Sequence, residues 1–129
     1  MTKIILSTLF GLLFIFSFSQ TQLEMNQEAQ NKYKKADTEL NLVYQKILKE
    51  YSSDSVFIKN LRVSQRIWIQ FRDAEMKTKF PDRPDGHYGS IQPLCWSNYL
   101  TELTQERTNK LKVWLTESDE GDMCSGSVK

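Results

Sequence analysis

Apolar side chains recur at steps of three and four along three stretches of the chain, the spacing that places them on one face of an α-helix. The stretches run from about Gln22 to Tyr51, from about Ser55 to Lys79 and from about Leu94 to Thr116. Polar and charged residues fill most of the other positions. The pattern therefore predicts an all-α fold, a small antiparallel bundle of three main helices. We expect the second helix, whose apolar arc is the widest, to be the most buried.

Local signals mark where these helices begin and end. Thr21 to Glu24 has the form of a capping box, with a hydroxyl at the first position and a glutamate three residues later, which predicts the start of the first helix. Ser53 or Asp54 can cap the second helix. The stretch from Pro81 to Pro93 holds all three prolines, so it predicts a loop between the second and third helices.

The N-terminus predicts a signal peptide over residues 1–19. Lys3 precedes an apolar run from Ile4 to Phe18, and a run of about fifteen residues is too short for a membrane span. We place the cleavage after Ser19, and an uncleaved membrane anchor is the alternative. The exported protein would then comprise a helical domain, residues 20–116, and a polar C-terminal tail, residues 117–129. This organisation predicts a periplasmic or secreted protein without stable membrane insertion after cleavage.

The charge of the exported chain is balanced. The full chain has 17 basic and 16 acidic residues, and removing residues 1–19 takes away Lys3 and no acid, which leaves a net charge of zero. A nucleic-acid-binding protein carries a basic surplus, so the balance argues against this class, although local charged patches can still exist. The balance also argues against tight binding to an anionic membrane.

The two cysteines, Cys95 and Cys124, are predicted to form a disulfide. Exported proteins meet an oxidising compartment, where an even number of cysteines usually pairs. Such a bond would tie the C-terminal tail back to the helical domain. A zinc site with His87 is the competing interpretation, but the spacing is poor for tetrahedral zinc. Weak calcium binding by the acidic residues of the tail is a further alternative.

Few residues offer a route to catalysis. The only histidine is His87, and a serine or cysteine nucleophile normally needs a histidine base. The sequence has no nucleophile elbow, phosphate-binding loop or metalloprotease motif. We therefore predict that the protein is not an enzyme and that it holds no cofactor or metal.

Arginines accompany the apolar face of the second helix. A guanidinium near a hydrophobic core must be paired, and acidic residues of the first and third helices, such as Glu39 and Glu106, are candidate partners. We predict a polar network that fixes the register of the helices; the alternative is an arginine site for the carboxylates of a partner protein. The predicted network consists of Asp37, Arg62, Arg66, Arg72, Asp73 and Arg107.

One block of this second stretch resembles a known family. Gln65-Arg66-x-Trp68-Ile69-x-Phe71-Arg72-Asp73-Ala74 is similar to the central motif of the LprI-type lysozyme-inhibitor family. The resemblance extends from about Thr21 to Leu115 and implies a secreted or periplasmic helical domain. Many members have cysteines where this chain has Glu28 and Met76. Weaker matches are Ala36 to Tyr44, Leu61-Arg62, Gly89-Ser90, Cys95 and Leu103-Thr104-x-x-Arg107.

The resemblance implies a binding module that blocks a c-type lysozyme, or that binds another envelope or secreted protein. The alternative is a structural or interaction domain of the cell envelope with no lysozyme-inhibiting activity. A blocking protein needs a rigid element that reaches the two carboxylates of a glycosidase cleft, and the loop from Asp82 to Ser90 is our candidate. An ordinary inter-helix loop is the alternative. The candidate binding residues are Arg83, Asp85, His87 and Tyr88.

Overall fold

A computed structural model of the chain contains three α-helices and one short 3-10 helix. These are α1 (Thr2–Glu50), α2 (Ser55–Lys79), α3 (Gln92–Lys112) and the 3-10 helix Val113–Leu115. The structure describes residues 2–128, and it describes side chains for residues 21–128. Within this part of the chain there is no β-strand, so the prediction of an all-α fold with three main helices is confirmed.

The predicted signal peptide, residues 1–19, lies outside the residues whose side chains are described, and it stays a prediction. In the part of the chain that the structure describes, no helix combines the length and the apolar character needed to cross a membrane.

The predicted bounds of α2 are confirmed, whereas the predicted start of α1 is not. Asp54 is the N-cap of α2, and its side chain accepts a hydrogen bond of 2.9 Å from the backbone N–H of Phe57. By contrast, α1 continues through Thr21 without a break. A capping box stabilises a helix start only where the preceding chain leaves the helix, and here the backbone stays helical.

One face of α1 supplies half of the buried apolar residues of the core. Its buried side chains follow each other at steps of three, four and seven, which is the period of a helix face. The core cluster also includes Leu61 of α2 and Leu111 of α3. The buried residues of α1 and of the turn that follows it are Ala29, Ala36, Leu40, Val43, Ile47 and Tyr51.

Small polar residues let α3 approach α1 closely. Ser97, Thr104 and Thr108 are all buried, and α1 and α3 form the most extensive contact between helices. The hydroxyls of Thr104 and Thr108 donate hydrogen bonds of 2.7 and 2.9 Å to the carbonyls of Leu100 and Thr104. These two hydroxyls therefore remain hydrogen-bonded although they are buried away from water. This avoids the penalty of burying an unpaired polar group.

The expectation that α2 is the most buried helix is wrong. Only Leu61 and Met76 of this helix are buried, whereas Val63, Ile67 and Phe71 are exposed. The apolar arc of α2 is wider than the surface that the other two helices can cover. One apolar face therefore packs on the bundle, and a second faces solvent.

The core predicts a sharp contrast between two aliphatic residues of α1. Ile47 has no exposed surface and Leu42 is 58% exposed. Ile47→Ala leaves a cavity, so we expect it to lower the free energy of unfolding by about 2–5 kcal/mol. Leu42→Ala on the same helix is the control, with an expected change within about 0.5 kcal/mol. Urea unfolding followed by circular dichroism measures both, and equal losses would contradict this assignment of the core.

Candidate partner-binding site

The connection between α2 and α3 is anchored by an aromatic cluster. The hydroxyl of Tyr88 donates a hydrogen bond of 2.7 Å to the carbonyl of Pro81, which closes the loop on itself. The rings of Tyr88 and Phe80 meet edge to face with centroids 5.8 Å apart, and Phe80 in turn lies 5.6 Å from Trp96 of α3. The base of the loop is thus fixed to both helices that it joins.

Two turns shape the tip of this loop. The N–H of His87 donates to the carbonyl of Pro84, and the N–H of Gly89 donates to the carbonyl of Gly86, both at 3.1 Å. Gly86 and Gly89 have φ angles of 80° and 71°, which side chains with a Cβ rarely adopt. Backbone hydrogen bonds and two glycines therefore define the conformation of the tip.

The predicted loop residues divide into two groups. Arg83, Asp85 and His87 are exposed, so their charged or polar groups are available to a partner. Tyr88 is half-buried, and its hydroxyl is used inside the loop rather than presented at the surface. Its ring also meets that of His87 edge to face at 4.8 Å. Tyr88 therefore positions the loop, and the other three residues form its outer surface.

The loop also encloses a shallow cavity at its base. The cavity measures about 260 Å³ and is bounded by side chains from the end of α2, the loop and the first turn of α3. Its walls combine aromatic rings with both basic and acidic side chains, a chemistry that suits a small polar ligand group or a side chain of a partner. The lining includes the basic residues Lys77 and Arg83, the acids Asp82 and Asp85, and the rings of Phe80, His87, Tyr88 and Trp96.

Arg107 is the best-connected arginine of the predicted network. Its Nε donates to the side-chain oxygen of Gln65 and its Nη2 donates to the hydroxyl of Ser64, both at 3.0 Å. Half-burial without a carboxylate partner lowers the pKa of Arg107 from its usual value. Arg107 therefore joins α3 to α2 through neutral partners and not through the acids that the sequence suggested.

A second part of the network surrounds Tyr33 of α1. Burial, followed by the carboxylates of Asp37 and Asp73, raises the pKa of Tyr33, and the guanidinium of Arg72 opposes this rise. Arg72 forms an ion pair of 2.8 Å with Asp73 and lies 5.4 Å from the ring centre of Trp68. Of these predicted network residues, Arg72 and Asp73 are in direct contact, whereas Asp37 accepts a hydrogen bond of 3.2 Å from Asn41 on its own helix.

Arg62 and Arg66 do not join either group. Neither arginine has an ion pair or a side-chain hydrogen bond with another residue that the structure describes. Glu39, one of the expected partners, instead accepts from Lys112 at 2.6 Å. Arg62 and Arg66 line shallow grooves beside α2, because the rotation of that helix turns them away from the core.

One polar contact between α2 and α3 was not predicted. The hydroxyl of Tyr99 donates a hydrogen bond of 3.0 Å to Glu75, and this bond is the main cause of the raised pKa of Tyr99. The ammonium group of Lys79 lies 3.5 Å from the ring centre of Tyr99. The signal in the sequence was Glu75 itself, an acid on the otherwise apolar stripe of the second stretch.

The two cysteines are free thiols in the structure. Cys95 is half-buried in α3 and Cys124 is exposed in the C-terminal tail, so the predicted disulfide is not formed here. Among the residues described, no group of three or more histidine, cysteine or acidic side chains is arranged to hold a metal ion.

Comparison with known proteins shows which family the chain belongs to. The profile of the family described as "Lysozyme inhibitor LprI" matches residues 17–111. The chain belongs to the LprI family. The match takes in the part of α1 that builds the core, all of α2, the loop and nearly all of α3. It ends before the C-terminal tail, and the description names inhibition rather than a catalytic activity.

A curated relative has no described function. An uncharacterized protein of Rhizobium meliloti (strain 1021) is 34% identical over 104 residues, which cover 71% of this chain and 72% of the relative. No solved structure matches this LprI-family chain.

The geometry of the arginines yields a prediction about stability. Arg107→Ala removes the two hydrogen bonds to α2, and we expect it to lower the free energy of unfolding by about 1–2 kcal/mol. Arg62→Ala is the matched control on α2, and its expected effect is within about 0.5 kcal/mol because Arg62 has no described partner. Thermal and urea unfolding measure the two variants. A larger loss for Arg62→Ala would show that the register depends on Arg62 instead.

Proposed function

We propose that this LprI-family domain is an exported inhibitor that blocks a lysozyme by placing the loop between α2 and α3 in the substrate cleft. The observation that carries the proposal is the anchored loop, residues 81–91, with exposed Arg83, Asp85 and His87 at its surface. This loop lies within the stretch that matches the family profile.

The exposed groups of the loop have chemistry that suits a glycosidase cleft. Lysozyme works with two carboxyl groups on either side of the scissile bond. The guanidinium of Arg83 can donate two parallel hydrogen bonds to one carboxylate, and His87 offers a further donor. A loop that occupies this position excludes the sugar chain.

Rigidity of the loop favours tight binding. A flexible segment loses conformational freedom when it binds, and that loss weakens affinity. Here the hydrogen bond from Tyr88 to Pro81 and the two turns at the tip define the conformation before binding. Asp85 near the tip also favours approach to a basic enzyme, even though the exported chain is neutral as a whole.

A lysis assay tests this proposal. We expect the exported protein to slow lysis of a cell-wall substrate by a c-type lysozyme, and Arg83→Ala/His87→Ala to raise the concentration needed at least tenfold. Lys34→Ala/Lys35→Ala on exposed positions of α1 is the matched control and should inhibit like the wild type. No slowing at tenfold excess over the enzyme would refute inhibition of that lysozyme.

A conservative variant separates the role of Tyr88 from that of its neighbours. Tyr88→Phe keeps the ring and removes the hydroxyl that bonds to Pro81. If Tyr88 positions the loop, inhibition should weaken while the fold stays intact by circular dichroism. Unchanged inhibition would show that the ring contacts alone are sufficient.

Export and the disulfide belong to the same proposal. Cleavage after Ser19 would leave Gln20 as the N-terminus, directly before the capping box that starts at Thr21. In the oxidising compartment Cys95 and Cys124 would then pair and hold the tail, residues 117–129, against the helical domain. The bond would stabilise the fold by restricting the unfolded chain.

Mass spectrometry and thiol labelling test this second part. We expect the protein recovered from the periplasm or medium to begin at Gln20 and, once denatured without reduction, to show no reactive thiol. Recovery of the full-length chain would contradict cleavage, and two reactive thiols would contradict the disulfide. Inhibition is scored separately from both results.

A further inference from the structure

An apolar row runs along the outward side of α2. Val56, Val63, Ile67 and Phe71 are 68%, 43%, 58% and 55% exposed, and they follow each other at steps of seven, four and four. At 100° per residue these positions share one side of the helix, opposite the buried Leu61. With a rise of about 1.5 Å per residue, the row extends over about 22 Å.

Cations follow one edge of this apolar row. Lys59 and Arg66 lie beside the row, and Arg62 lies further round the helix towards α1, in a groove that Asn41 also lines. All three are exposed, and none of them forms an ion pair with another residue that the structure describes. No acidic residue occurs between Ser55 and Arg72. The whole of α2 carries six basic and two acidic residues, so it is strongly cationic.

The neutral charge of the exported chain thus conceals a segregation of charge. α2 has six basic and two acidic residues, an excess of four basic residues, whereas four acids lie close together in the C-terminal tail, between residues 117 and 122. A balance taken over the whole chain does not describe the field at the outward face of α2, because exposed charges act over about one Debye length.

We propose that this face of α2 is a docking surface for an anionic lipid bilayer. An exposed helix with an apolar row and cations beside it lies in the plane of a membrane interface, with the row in the acyl boundary and the cations against lipid phosphates. The outward side of a helix is convex, so it matches a flat surface better than it fills a pocket. Phe71 supplies an aromatic ring at the level of the interface.

Charge argues against a second copy of the chain as the occupant. An antiparallel two-fold axis at the middle of the row, next to Val63, would bring Lys59 of each copy close to Arg66 of the other, without an acid of α2 between them. An anionic bilayer instead satisfies the cations and the apolar row together. The surface is also separate from the loop of the proposed inhibitor, so its test is independent of lysozyme.

Vesicle co-sedimentation tests the proposal with the exported protein. Mass spectrometry first verifies that residues 1–19 have been removed, because the apolar segment Ile4 to Phe18 could itself bind vesicles. We expect binding to vesicles of equal parts phosphatidylglycerol and phosphatidylcholine, much weaker binding to phosphatidylcholine alone, and release as salt is raised. Equal binding to both vesicles, or no binding to either, would overturn the proposal.

Paired variants locate the surface. Lys59→Gln/Arg66→Gln should weaken binding to the anionic vesicles by about fivefold for each cation removed. Val63→Ser/Ile67→Ser/Phe71→Ser should abolish it, and circular dichroism verifies the fold of this triple variant. The matched controls are Lys34→Gln/Lys35→Gln and Leu42→Ser, since Leu42 is as exposed as Ile67, at 58%. Controls that weaken binding as much as the α2 variants would refute the assignment to α2.

A final measurement tests whether a second copy of the chain, rather than a bilayer, covers this face of α2. Sedimentation velocity should show a monomer at the concentrations used with vesicles. A dimer that Ile67→Ser dissociates would overturn the proposal in favour of a second copy of the chain.

Discussion

Ile47, Tyr51 and Leu111 lose almost all of their exposed surface where α1 and α3 pack together. Burial of apolar surface is the main force that favours folding, and in this bundle one face of α1 supplies half of the buried apolar residues. Because α3 is held against α1 along that face, its first turn is held as well. The loop before α3 is anchored there through Trp96 and at the end of α2 through Phe80. The geometry of the candidate binding loop thus depends on packing some distance away along α3.

The sequence was a good guide to the number of helices and to their ends near strong signals. Asp54 and the prolines after Lys79 gave α2 its correct bounds, because a short acidic cap and a missing N–H act locally. Burial was harder to predict. The wide apolar arc of α2 suggested that this helix lies at the centre of the bundle. How much of the arc is buried, however, depends on the positions of α1 and α3. Periodicity identifies a face that is suited to packing without showing what packs on it.

Polar contacts could likewise be predicted where they depend on neighbouring residues in the chain, and not where they depend on how the helices pack. The loop turns could be predicted from Pro84 and Gly86, since proline and glycine restrict or permit particular backbone angles. The partners of the arginines could not, because a small rotation of α2 decides whether a guanidinium points inwards or outwards. Arg107 donates hydrogen bonds to the hydroxyl of Ser64 and the side-chain amide of Gln65. Arg62 and Arg66, which were expected near the core, lie at the surface instead. The net charge of the chain likewise gave no sign that α2 carries four more basic than acidic residues.

The buried hydroxyls of α3 have a consequence for which sequences this fold can accept. Thr104 has no exposed surface and Thr108 only 2%, and each lies where α3 meets α1. An added methylene at such a position has no solvent to enter, so it must force the two helices apart or distort a rotamer. Large aliphatic residues elsewhere in a core often exchange for one another with modest loss. We therefore expect Thr104 and Thr108 to be substituted more slowly in evolution than the leucines and isoleucines around them.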